Sequence, residues 1–258
     1  MKLQQQSAVL LAALLAAGTA QAAEPDYTLG YNVGVVSDYR FRGIEQSAGQ
    51  PSVQGGVDWA HKSGAYLGAW AASNIRWVKD VNGASRGEYE LDLYAGYKTE
   101  IKPGLGLDVG VITYQYPGND SGQGGTPGAG QYTRADTTEA YVGVSYGVVT
   151  LKFNQSLGDF LGNRNSNGST YTDLSANFDL GNGYTLTPHI GSQLITNASA
   201  GNYTDYALTL TKDFGKGLSA WISAVDTDAK RSFYTPSYGN TSRHLGKGTV
   251  LVGVKYSF

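Results

Sequence analysis

Eight carboxylates and a set of tyrosines recur along this chain at even spacings within short apolar stretches. The acids are Asp58, Glu90, Asp92, Asp108, Glu139, Asp173, Asp179 and Asp205, and they face only three bases in equivalent positions, Lys98, Lys152 and Lys255. His189 is a titratable group between the two sets. The aromatic residues Tyr66, Trp70, Tyr94, Tyr114, Tyr116, Tyr141, Tyr171 and Trp221 fall on the same phase. This chemistry is non-covalent: charge, hydrogen bonding and ring faces arranged along a surface. Covalent chemistry has less to work with. There is no cysteine, and a serine hydrolase needs a histidine beside its nucleophile with an acid or amide to orient the imidazole. The three histidines are His61 at a short turn, His189 after Pro188, and His244 in the last long loop, none where a lipid ester would be presented. They are too scattered for a metal site. The sequence therefore implies no enzyme, cofactor or metal, and a barrel lipid hydrolase is the weakest of the readings.

What positions these residues is a period of two. Leu91, Leu93, Ala95 and Tyr97 alternate with Glu90, Asp92, Tyr94, Gly96 and Lys98, and Val250, Val252, Val254, Tyr256 and Phe258 alternate with Leu251, Gly253, Lys255 and Ser257. Alternation of this kind marks strands with one apolar face. Twelve are expected, starting near Tyr27, Pro51, Ala65, Glu88, Leu105, Thr137, Val148, Thr170, Tyr184, Thr204, Leu218 and Gly248. Their length of ~10 residues suits tilted membrane-spanning strands. The connections alternate long and short in strict order, as in barrels of the outer membrane. Tyr27, Trp59, Tyr97, Tyr146, Phe178, Tyr184 and Tyr256 lie on the apolar phase near the short turns or a chain end, the place of a periplasmic aromatic girdle.

Composition agrees with a barrel. Glycine is 36 of 258 residues, roughly twice the usual share. Mean hydropathy is −0.28, far too polar for a bundle of spanning helices. A net charge of −2 and pI of about 5.9 make nucleic acid an improbable partner. Residues 1–22 have the form of a secretory signal peptide, with Lys2, the apolar run Ala8 to Ala17, and the small-x-small site Ala20-Gln21-Ala22. Cleavage near Ala22 would leave an outer-membrane barrel over residues 23–258.

The stretches Ser37-Asp38-Tyr39-Arg40-Phe41-Arg42-Gly43-Ile44-Glu45-Gln46-Ser47, Pro51-Ser52-Val53-Gln54-Gly55-Gly56 and Gly64-Ala65-Tyr66-Leu67-Gly68-Ala69-Trp70 resemble the TorF-type porin family. So do Glu90-Leu91-Asp92-Leu93-Tyr94-Ala95-Gly96-Tyr97 and Tyr114-Gln115-Tyr116-Pro117-Gly118. Glu45 departs from the small polar residue the family usually has in the first loop. The resemblance implies a porin-like barrel of the bacterial outer membrane and brings no substrate or catalytic residue.

The sequence thus predicts an all-β, single antiparallel barrel of twelve strands with both termini periplasmic. Its expected role is passive diffusion of small hydrophilic solutes with weak cation preference, from the excess of interior acids. Arg40 and Arg42 would form a constriction if the first long loop folds inward; otherwise they are solvated. The alternative is a structural or adhesive barrel whose lumen is filled by the same salt bridges and tyrosines. Expected partners are outer-membrane lipid and the barrel assembly machinery, which would read the aromatic end Phe258. Solute and oligomeric state are not legible.

Overall fold

The computed structural model describes residues 25–238 and 242–258; the expected signal peptide lies outside them. The described residues run through fifteen strands. Eleven long ones are β1 (Tyr27–Val36), β4 (Ser52–His61), β5 (Ala65–Ala72), β6 (Glu90–Lys102), β7 (Leu105–Gln115), β8 (Thr137–Tyr146), β9 (Val149–Ser156), β12 (Tyr184–Leu194), β13 (Tyr203–Gly215), β14 (Leu218–Thr227) and β15 (Thr249–Ser257). A twelfth stave is made of two pieces, β10 (Thr170–Ala176) and β11 (Phe178–Gly181), divided at Asn177 and both paired with β12. Every neighbour is antiparallel, and β1 pairs with β15 through Val33↔Tyr256 and Val35↔Val254, which closes the sheet. Closure leaves no unpaired edge, the condition for a sheet in lipid. The remaining two strands, β2 (Arg40–Phe41) and β3 (Ile44–Glu45), form a separate hairpin inside the first long loop.

The period of two decides which way each side chain points. On β1, Leu29, Tyr31, Val33 and Val35 are exposed, as are Val250, Val252 and Val254 on β15 and Leu174, Ile190 and Leu208 elsewhere. This is an apolar outer surface. Tyr27, Tyr97, Tyr146, Phe178, Tyr184 and Tyr256 are exposed at the short-turn end, and Trp59 is half-buried there, stacked on Tyr27 at 6.4 Å. Tight two-residue turns explain the short connections. Asn182-Gly183 and Lys216-Gly217 both have positive φ at their two residues (53° and 76°, 51° and 83°), the conformation whose twist matches paired strands.

The opposite phase fills the inside with rings laid across glycines of the next strand. The Tyr94 ring lies over Gly68, the Tyr141 hydroxyl over Gly110, and the Trp221 indole over Gly253; a Cβ at any of these glycines would come within 2.5 Å of the ring residue. The glycine excess in the composition therefore has a packing cause as well as a turn cause. Among the described residues helix is limited to short segments, such as Trp77–Asp80 in the second long loop, and none could cross a membrane.

A substitution pair tests this packing. Valine is a good strand former, yet Gly253→Val should overpack the Trp221 indole and destabilise the barrel by about 1–3 kcal/mol. Gly30→Val, also on an inward phase but with nothing within 4 Å of its Cβ position, should be neutral or stabilising. Urea unfolding of the refolded protein reads both, and equal effects would refute the ring-on-glycine account.

Candidate functional site

The first long loop enters the barrel. Beyond Val36, the Tyr39 amide donates to Ser47 Oγ at 2.9 Å and the Gly49 amide to Asp38 Oδ1 at 3.2 Å, which ties the two ends of the hairpin together. At its tip Arg42 and Gly43 have φ of 48° and 78°, as a two-residue hairpin turn requires. Gly43 has a second reason to be glycine: a Cβ there would meet Thr227 Cγ2 at 2.5 Å and Asp205 Cβ at 2.8 Å. The tip is in contact with the barrel wall.

That approach delivers Arg42 to the interior. Its Nη2 donates to Glu139 Oε2 at 2.6 Å and its Nη1 to Glu139 Oε1 at 3.0 Å, a bidentate pair reinforced by Gln193 Oε1 at 2.8 Å from Nη1. The guanidinium carbon is 4.1 Å from the Tyr171 ring centroid and 4.7 Å from that of Phe41. Tyr114 donates its hydroxyl to Glu139 Oε2 at 3.3 Å and meets the Phe41 ring edge-on at 5.1 Å. Above this, the Tyr39 hydroxyl donates to Glu90 at 3.1 Å, and the Tyr39 ring lies 5.8 Å from the indole of Trp70.

Arg40 does something different. It stays in the loop, with Nε on Asp38 Oδ2 at 2.9 Å and Nη1 on the carbonyls of Gly43 and Leu245 at 3.2 and 2.9 Å. Of the two arginines only Arg42 meets a wall acid: it sits in the turn itself, at the far end of the hairpin, whereas Arg40 on the preceding strand is held by Asp38 and by loop carbonyls. Glu45, opposite Arg40 in the hairpin, is 1% exposed and pairs with Arg243 at 2.6 Å. Burial and neighbouring Asp38 push the Glu45 carboxyl above its ordinary range, against the pull of Arg40 and Arg243.

The other candidate residues form two further layers. His189 is held between Asp173, 3.1 Å from Nδ1, and Asp205, 2.8 Å from Nε2, and the Tyr171 hydroxyl donates to Asp205 at 3.0 Å. Towards the short turns, Tyr66 donates to Asp108 at 2.5 Å and its hydroxyl meets that of Tyr141, while Tyr94 donates to Asp58. Lys98 lies 3.5 Å from Asp108, and Lys152 sits 3.5 Å from the Tyr141 ring centroid. Asp92 is buried on the same phase, and Lys255 is half-buried on β15. Asp179 differs from the set: it is exposed, and its Oδ1 accepts the Gly181 amide at 2.8 Å, so it braces a turn at the rim. Trp221 faces an apolar patch of Ala207, Val225 and Leu251. Most of the charged interior side chains thus stand on β6 to β12, joined by Asp58 on β4, Asp205 on β13 and Lys255 on β15, and the apolar patch lies on β13 to β15. A cavity of about 90 Å³ lies under the hairpin tip, bounded by Arg42, Gly43, His189, Asp205, Trp221 and Leu251 among others.

Gln193, 0% exposed, joins the site without an ionisable group to mark it in the sequence, although it shares the phase of His189. The part of Tyr39 depends on the loop entering the barrel.

The bidentate pair has a measurable signature. Removing one partner of a buried ion pair strands the other charge, at a cost of about 3–5 kcal/mol. Arg42→Ala and Glu139→Gln should each approach that loss in urea unfolding, and the double variant should fall well short of their sum. Strictly additive losses would mean the two residues are not coupled.

Several solved structures have this architecture. The KdgM porin matches with a TM-score of 0.53 at 9% identity, over 89% of this chain and 98% of that one. The NanC porin matches with a TM-score of 0.55 at 11% identity, over 89% and 99%. KdgM in complex with disordered oligogalacturonate gives 0.52 at 8% identity, over 89% and 98%. At such identities the likeness is one of fold. No relative is found among curated proteins. A family described as bacterial protein of unknown function (Gcw_chp) matches residues 19–258, nearly the whole chain, and the protein belongs to that family.

Proposed function

We propose that this protein is a porin-like channel of the bacterial outer membrane that lets small hydrophilic solutes diffuse through it. The observation that carries the reading is a closed barrel, apolar outside, whose inside holds ionised groups around an inserted hairpin. Charged side chains are costly on a lipid-facing surface, by about 2–4 kcal/mol for Lys or Arg near the midplane, so their collection inside fits a polar lumen. Porins of the same fold support it. Within this reading the signal peptide is removed near Ala22, both termini face the periplasm, and the aromatic ring at the short-turn end sits among headgroups. Outer-membrane lipid and the assembly machinery reading Phe258 are its partners. The TorF-type resemblance points the same way, and no covalent step is needed.

Selectivity follows from the interior charge. Asp58, Glu90, Asp92, Asp108, Glu139, Asp173 and Asp205 outnumber Arg42, Lys98, Lys152 and Lys255, with His189 between two of the acids. The remaining negative potential favours cations weakly. One observation favours the second reading, a filled structural barrel: the Tyr66, Asp108, Tyr141 and Lys152 layer packs the short-turn half of the interior.

Single-channel recording in a planar bilayer under a salt gradient separates the two. The channel reading expects discrete openings with a reversal potential of cation-selective sign. It also expects Arg42→Ser to raise conductance and cation preference together, because Glu139 is then unpaired. Silence of both wild type and variant, with heat-modifiable gel mobility showing that each is folded, would establish the filled barrel. Anion selectivity would refute the charge argument alone.

A further inference from the structure

Above the hairpin, at the long-loop end, the loops enclose a second cavity of about 200 Å³. Its walls are rings, Trp77, Tyr132, Phe160, Phe233 and Tyr234, and its floor is formed with Phe41 and Ile44 of the hairpin. Exposed Ser232 and Ser237 stand at its margin. Among the described residues not one Asp, Glu, Lys, Arg or His lines it, although charged pairs crowd the barrel beneath. A charged solute would lose its hydration here without gaining a counter-charge.

Beside the hydroxyls of its serines and tyrosines, the cavity is lined by three side-chain amides, each with its nitrogen already engaged. Gln46 Nε2 donates to the carbonyls of Ile44 at 2.9 Å and Glu45 at 3.3 Å. Asn82 Nδ2 donates to Leu161 O at 2.9 Å, and Asn163 Nδ2 to Phe160 O at 2.9 Å. Each amide therefore has its oxygen left as an acceptor. Gln46 makes the point most strongly: the residue is 2% exposed, and its Oε1 is buried with no hydrogen bond. Buried acceptors in native proteins nearly always find a donor, so an orphan on the wall of a cavity marks a place for one. Ring faces accept C–H surfaces and several amide oxygens accept hydroxyls. The volume lies below the ~300 Å³ at which pockets for drug-sized ligands begin, enough for one substituted six-membered ring.

We infer that this cavity is a binding site for a single uncharged, polyhydroxylated ring, a neutral monosaccharide in chemical class. The site is independent of conduction, since a filled barrel could hold it equally well. Because Phe41, Ile44 and Gln46 belong to the inserted hairpin segment, an occupant touches the same element that carries Arg42.

The test is equilibrium binding to the full-length barrel, refolded in a polyoxyethylene detergent whose headgroup contains no sugar. Intrinsic tryptophan fluorescence is the readout, since Trp77 is in the wall, with titration calorimetry as a second measure. Glucose, galactose and mannose are the probes, against glucuronate for charge and indole for an apolar ring with one donor. At least one neutral sugar should bind saturably, with Kd on the order of 1 mM, and glucuronate at least roughly tenfold more weakly. Gln46→Leu should weaken the sugar by about tenfold or more. Ser237→Trp, at an exposed position, should block the cavity with heat-modifiable mobility unchanged, which covers the case in which Gln46→Leu does not fold. No saturable sugar binding, glucuronate binding as well as glucose, or indole binding in place of sugar would each overturn the inference.

Discussion

A guanidinium enclosed in a barrel must be given partners, and the way Arg42 is given them organises everything above the midpoint of this molecule. Burying an ion costs several kcal/mol that only a well-made pair and further hydrogen bonds offset. Here the pair is Glu139 on β8, the further acceptor is Gln193 on β12, and the ring is Tyr171 on β10. Those three strands are brought close because β10 pairs with both β9 and β12. Pairing of β8 through β12 in this register is therefore what assembles the partners of Arg42. Conversely, an unpaired Glu139 would be a buried anion. A buried pair of this type adds little net stability, but it specifies where the hairpin must sit.

The rest of the interior follows the same economy of partners at shorter range. Hydroxyls of Tyr66, Tyr94 and Tyr171 reach acids on other strands, and the rings that carry them need room along the wall. Glycines on adjacent strands give that room. In Asp92-x-Tyr94-x-Gly96 the gap has this structural reason, since Gly96 lies against the Tyr66 ring, whereas in Glu139-x-Tyr141-x-Gly143 the nearest atoms to a Cβ at Gly143 are those of Asp108 and Leu151. The pattern on β6 is first a packing solution, and any selectivity it confers rides on that.

Strands were legible because period two is a strong signal over ten residues: each of the twelve begins within about two residues of where alternation begins. The interior acids were legible for the same reason, with Asp179 the exception, since its phase is inward but its place is a turn. The inserted hairpin was not. Its strands are two residues each, Arg40–Phe41 and Ile44–Glu45, too short to show any period. Nothing in an Arg-x-Arg spacing says that one residue turns into the barrel and the other back to the loop. Glu45 was visible as an oddity of the first loop, but its partner Arg243 is almost two hundred residues away, across the last long loop. Such long-range loop contacts leave no local trace.

The hairpin also has two faces, and they divide the space inside. Arg40, Arg42 and Gly43 border the lower cavity, beside His189 and Asp205, where the wall is charged. Phe41, Ile44 and Gln46 border the upper one, where none of the described lining residues is an Asp, Glu, Lys, Arg or His. A strand pair of this length can do this because alternate residues point to opposite sides, so four consecutive residues suffice to present a charge downward and a ring upward. The partition is held by the Arg42–Glu139 pair, the Arg42–Gln193, Tyr39–Glu90 and Arg243–Glu45 contacts and the close approach of Gly43, while the wall itself is held by continuous strand pairing. Local opening free energies follow such differences in contact and hydrogen bonding. The hairpin's place between the two compartments thus rests largely on separate side-chain contacts, and the wall's on unbroken backbone pairing.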